Sequence, residues 1–140
     1  MKATDLMIGD WVRPDQCMVP TTYCKIEGIY PDGTVNLDKA ERLFVLEELH
    51  PIPLTPEILE KNGFKDVVNP PYKERILHKV WDDYCVEINV INKDVNMRIM
   101  PLASRTMERR RGDFYFPNPE YVHELQHALK LCRIEKEIKL

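Results

Sequence analysis

Glycine is scarce in this chain: five residues in 140, and they are dispersed. No glycine-rich loop is available to bring backbone amides close around a phosphate. No nucleophile elbow or pair of facing carboxylates appears either, so the common hydrolase and phosphoryl-transfer signatures are missing. The four cysteines (Cys17, Cys24, Cys85 and Cys132) are scattered. None stands in CxxC spacing, which argues against a zinc ribbon and a thioredoxin-like redox pair. No apolar run approaches the ~20 residues needed to span a bilayer. The opening MKATDLMIGDWV has no apolar leader core, so the expectation is a cytoplasmic protein with reduced thiols. The net charge of −3 is small and gives no reason to expect nucleic acid or an acidic membrane surface as partner.

What is present is enough to fold. The apolar share of 44% supports a core, and 140 residues suit one domain or two small ones. Residues 1–53 read as a small β module. Trp11-Val12-Arg13, Thr21 to Tyr30, Thr34 to Asp38, and Arg42 to Leu46 are short strand candidates, with His50-Pro51-Ile52 closing the series. Pro31-Asp32-Gly33-Thr34 is a tight turn, with proline at its first corner and glycine free to take a positive φ. Short strands and tight turns at this density predict an SH3-like barrel. The module holds five basic and nine acidic residues, which makes it a poor partner for phosphate. Trp11, Tyr23, Tyr30 and Phe44 are its aromatic core or, failing that, the lining of a groove.

Residues 54–140 read as an α+β unit. Thr55 caps a short helix with Pro56 at its first position, and Gly63 ends it. Strands follow over Tyr72 to Val80, with Ile76, His78 and Val80 on one face, and over Tyr84 to Ile91, where alternation is clearest. Asn92-Lys93-Asp94 turns the chain into a strand carrying Val95, Met97 and Ile99, and Phe114-Tyr115-Phe116 is a last strand. The stretch from Asn118 to Ile138 predicts a helix, capped by Asn118, with Val122, Leu125, Leu129 and Cys132 on one apolar stripe and Ala128 alongside. Residues 133–140 are expected to fray.

That helix carries the one string that resembles chemistry, His123-Glu124-Leu125-Gln126-His127. Two histidines four apart share a helix face, and HExxH is the zincin arrangement: two ligands, with the glutamate as base for a zinc-bound water. A catalytic zinc needs a third ligand. Arg133 stands where a metzincin would place its third histidine, and Glu135 and Glu137 continue the same helix. The string therefore reads as a helix face, with no metal and no cofactor expected; His123 and His127 with Glu124 remain the metal alternative. A second candidate is the stretch Ser104 to Gly112, which holds Arg105, Arg109, Arg110 and Arg111 against one glutamate. Arginine clusters grip phosphates through paired hydrogen bonds, and nearby Tyr115 could stack a base.

Three segments, IGDWV at 8–12, PIPLTPEILEKNGF at 51–64 and YVHELQ at 121–126, occur in this order and spacing. Together they resemble an uncharacterised family of small proteins of gut anaerobic bacteria and their prophages. The resemblance implies an intracellular protein of mobile-element origin and carries over no catalytic residue. In that family the helix often reads His-Gln-Leu-Gln-Asn, which implies that Glu124 and His127 are particular to this chain. The functional expectation is a non-enzymatic binding or accessory protein with a protein partner and no membrane association. Nucleic-acid binding through Arg105 and Arg109 to Arg111 is the alternative, and a zinc hydrolase the third.

Overall fold

A computed structural model describes residues 5–15, 23–67, 75–81, 83–91, 94, 96–102 and 112–140. The chain is α+β and divides into two compact units: residues 1–53 with 121–127, and residues 54–120 with 128–140.

The first unit contains β1 (Trp11–Pro14), β2 (Cys24–Ile29), β3 (Thr34–Leu37), β4 (Phe44–Val45) and β5 (Leu49–Pro51). They form one antiparallel sheet in the order β4-β3-β2-β1-β5, with β4 and β5 as its edges. The register of β2 shifts between Ile26 and Gly28, an irregularity that kinks the strand. The turn before β3 forms as the sequence predicts. Gly33 takes φ +85°, and Asp32 Oδ1 accepts from the Thr34 amide at 2.9 Å. A single 3-10 turn, Leu46–Glu48, precedes β5; Glu48 accepts from the Val45 amide at 3.0 Å and pairs with Arg42 at 2.8 Å. Val12, Cys24, Ile26, Val35, Leu37, Phe44 and Leu49 make the core, together with Leu6.

The second unit begins with α1 (Pro56–Lys61), capped by Thr55 Oγ1 and ended by Gly63 at φ +79°, as expected. Its sheet has the order β10-β9-β8-β7-β6, from β6 (Lys65–Val67), β7 (Ile76–Trp81), β8 (Tyr84–Asn89), β9 (Met97–Pro101) and β10 (Phe114–Phe116). β6 was not expected; the charged Lys65-Asp66 suits it to an edge, where apolar alternation is not required. In β7, Ile76, His78 and Val80 share a face as expected, and the buried Leu77 lies on the other. Leu77 is buried and Val80 is 46% exposed, because Leu77 lies opposite Ile88 and Lys79 opposite Val86. Expected strand and turn residues at Thr21, Tyr72, Asn92, Lys93 and Val95, and Cys17, lie outside the described residues.

Helix α2 (Val122–Leu131) is shorter than its sequence suggests. Tyr121 forms a β-bridge with Pro53, and the Val122 amide donates to Ile52 at 2.9 Å, so helical geometry cannot start earlier. Asn118 therefore does not cap the helix; its side chain donates to the Asn89 carbonyl at 2.6 Å. The helix ends at Leu131, and Arg133 just beyond it adopts φ 58°. The Arg133 and Ile134 amides close back onto Lys130 and Leu129, each at 2.9 Å. Val122, Leu125, Ala128, Leu129 and Cys132 are buried as predicted, whereas Leu131 is 69% exposed.

Candidate functional site

Every residue of His123-Glu124-Leu125-Gln126-His127 has a defined place in the first unit. Tyr121 occupies the cap position of α2 without a side chain able to cap, and Glu124, three residues on, supplies an oxygen to the Tyr121 amide at 3.2 Å. The glutamate that would be a zincin base is thus bound to the helix start. Leu125 is fully buried. Gln126 falls on the apolar stripe and is nearly buried; its amide brackets the strand entry, donating to the Gly9 carbonyl at 3.1 Å and accepting from the Trp11 amide at 3.2 Å. His127 Nε2 donates to Asp10 Oδ2 at 2.7 Å.

Asp10 organises the other side. It is fully buried, and the same Oδ2 accepts the Met7 amide at 2.7 Å, while the Asp10 amide donates to the Met7 carbonyl at 3.1 Å. The turn Met7-Ile8-Gly9-Asp10 is closed twice. Gly9 sits at φ +90°, the conformation that the third position of a type II turn requires. The Gly9 amide donates to Ile26 at 2.7 Å, tying the turn to β2. A rigid turn, a buried carboxylate, a glutamine and a histidine form a polar cluster, and sequence reading singled out neither Asp10 nor Gln126. The available signal was a glutamine on an apolar helical stripe, which must find backbone partners when buried.

His123 is the unusual member. It is 5% exposed, stacks on the Tyr121 ring at 5.8 Å between centroids and meets the His127 ring edge-on at 5.6 Å. Its Nδ1 is buried without a hydrogen-bond partner among the described residues. Desolvation holds its pKa below the ordinary 6.5; the Asp10, Glu124 and Asp5 carboxylates oppose that effect, and His127 adds to it. The neutral form is therefore folded, and protons bind the unfolded chain more readily. Stability should be complete above pH 6.5 and fall as pH drops below that value. Thermal melts from pH 7.5 to 5 should show the decline, and a His123→Phe chain should show a shallower one; parallel slopes would assign the loss to other groups.

Among the described residues, no three His, Cys, Asp or Glu side chains are grouped to hold a metal ion. His127 already uses Nε2 on Asp10. Arg105, Arg109, Arg110 and Arg111 lie outside the described residues. The strand that follows them, β10, is a sheet edge with β9 as its neighbour. Tyr115 is 61% exposed and Phe114 45%. Tyr115 lies opposite Arg98, which lies opposite Glu87, so one polar row crosses the sheet; Phe114 lies opposite Ile99 on the apolar face. Arg98 stacks over the Tyr115 ring at 6.0 Å and is held by Asp113 at 2.6 Å.

No helix among the described residues is long and apolar enough to cross a membrane. Comparison with protein-family models, with curated proteins and with solved structures finds no match to this chain.

Proposed function

We propose that this chain is a non-enzymatic binding or accessory protein of the cytoplasm, and that it engages a protein partner along the β10 edge. The observation that carries the reading is an edge strand with exposed aromatics, Phe114 and Tyr115. Exposed apolar edges template pairing with another chain, and proteins usually blunt them with charge or proline. An added strand would gain main-chain hydrogen bonds and set alternate side chains against the two faces. Apolar residues would meet Phe114 and Phe116, and uncharged polar ones would suit the face of Tyr115, where Asp113 already holds Arg98. The arginine-rich stretch just before β10 in the sequence favours an extended segment with acidic residues beyond the paired strand.

The use of Glu124, Gln126 and His127 in holding the fold supports a non-catalytic reading of the HELQH string. The same contacts link two of the segments behind the family resemblance, IGDWV and YVHELQ, and the proposed prophage connection rests on that resemblance. The first unit is read as an SH3-like barrel. The order β4-β3-β2-β1-β5, the kink in β2 and the 3-10 turn before the last strand support that reading.

Quantitative affinity capture from the native host, with tagged wild type and a Phe114→Asp/Tyr115→Asp chain, tests the proposal. A protein retained at high salt by the wild type and lost by the variant is expected. Capture that depends on nucleic acid and vanishes at high salt would favour Arg105 and Arg109 to Arg111 instead. Identical capture by both chains would remove the β10 edge as the site.

A further inference from the structure

The second unit holds a cavity of about 400 Å³ that the β10 edge does not touch. It is lined by Trp81, Asp83 and Tyr84 on one side and by Arg133, Ile134, Glu135 and Lys136 on the other. We propose that it binds a small planar aromatic molecule carrying one acidic group, held against Trp81 and Tyr84 with the acid on Arg133.

The walls are fixed before any ligand arrives. Trp81 and Tyr84 are directly opposite in the β7–β8 ladder, so both rings stand on one face of the sheet. The Phe64 ring packs perpendicular to Trp81 at 5.3 Å between centroids and holds its orientation. Opposite them, residues 133–136 follow the double closure that ends α2, with buried Ile134 as an apolar anchor. Further on, the Lys139 amide and carbonyl are both bonded to the Asn62 side chain at 2.8 Å. The segment is thus pinned on each side of the cavity. The volume lies in the range of small-molecule sites, and the lining joins three apolar or aromatic residues to four charged ones.

Arg133 gives the site its sign. It occupies the left-handed conformation at the helix end, where glycine is the favoured residue and a side chain costs stability. Favourable charge at a helix C-terminus does not explain that placement, because a cation in the last turn serves the dipole without backbone strain. Among the described residues the Arg133 side chain has no ion pair or hydrogen bond. Its fork suits a carboxylate or phosphate. Asp83 and Glu135 share the lining with Arg133 and Lys136, so the formal charges balance. That balance admits one acidic group and disfavours polyanions.

Calorimetric titration with 1-naphthoate and with adenosine 5′-monophosphate covers the carboxylate and phosphate forms of this chemistry, and adenosine is the neutral control. At least one anion should bind with a Kd below about 1 mM, and adenosine at least about tenfold more weakly. Arg133→Gly should weaken the anion about tenfold or more while its melting temperature stays level or rises, because glycine relieves the strained position. Binding of neither anion below that limit overturns the proposal, as does equal binding by Arg133→Gly.

Discussion

Replacing Asp10 with alanine should destabilise the protein by about 3 kcal/mol, within the range for leaving two buried or half-buried donors without their acceptor. Asp10 Oδ2 is the acceptor for both the Met7 amide and His127 Nε2, each at 2.7 Å, and Asp10 is fully buried. The truncation removes the acceptor from two donors and loosens the turn that sets Gly9 and Trp11 for Gln126. Asp10→Asn keeps one oxygen and should cost about half as much. A double-mutant cycle with His127→Ala should give a coupling of at least about 1 kcal/mol, because the two side chains touch. Denaturant unfolding measures all four proteins. The same experiment bears on the metal alternative. A helix held by Asp10 and Gln126 should unfold identically with and without EDTA, whereas a bound ion would raise wild-type stability by mass action. Wild-type stability in Asp10→Ala, or a chelator effect of comparable size, would return His123 and His127 to consideration as ligands.

The elements that local chemistry determines were legible in the sequence. Thr55-Pro56 and Gly63 delimit α1 because capping, proline's fixed φ and glycine's freedom all act within a few residues. Pro31-Asp32-Gly33-Thr34 is legible for the same reason. The apolar stripe of α2 was legible from its spacing. Its ends were not, since Tyr121 is withheld from the helix by pairing with Pro53, and Arg133 ends it by adopting a conformation that glycine usually marks. The polar cluster was least legible. Asp10 and His127 are 117 positions apart, and neither residue's neighbours indicate the other. HELQH therefore offered its familiar metal pattern but not its partners. Which face of β7 is buried was not legible, because Ile76, His78 and Val80 alternate as cleanly as Leu77, Lys79 and Trp81. Pairing with β8 decides between them, and the pattern within β7 does not.

Deleting residues 134–140 should be the most damaging change in the second unit, although the sequence suggests an end that frays. Ile134 is nearly buried and Ile138 is 0% exposed. Removing two buried isoleucines forfeits about 2 kcal/mol of burial apiece. The deletion also takes away both hydrogen bonds between Asn62 and Lys139, and the contact from Lys61 Nζ to the Leu140 carbonyl. Asn62 is the C-cap of α1, so its side chain loses the partners that tie that helix to the tail. The expected loss is about 4–5 kcal/mol, a large part of the total stability of a small domain. Calorimetry should register it as a fall in melting temperature of roughly 10 °C or more. Ile138→Asp isolates the burial contribution and should account for at least half of the loss, because it places a charge where no solvent reaches. Lys139→Gln, one residue away on the exposed side and, among the described residues, bonded only through its backbone, should leave the melting temperature within about 2 °C. A truncated chain that melts with the wild type would mean that residues 134–140 contribute nothing to this unit. The wall of the Trp81–Arg133 cavity would then have no rigid support, so the deletion tests the scaffold of that site independently of any ligand.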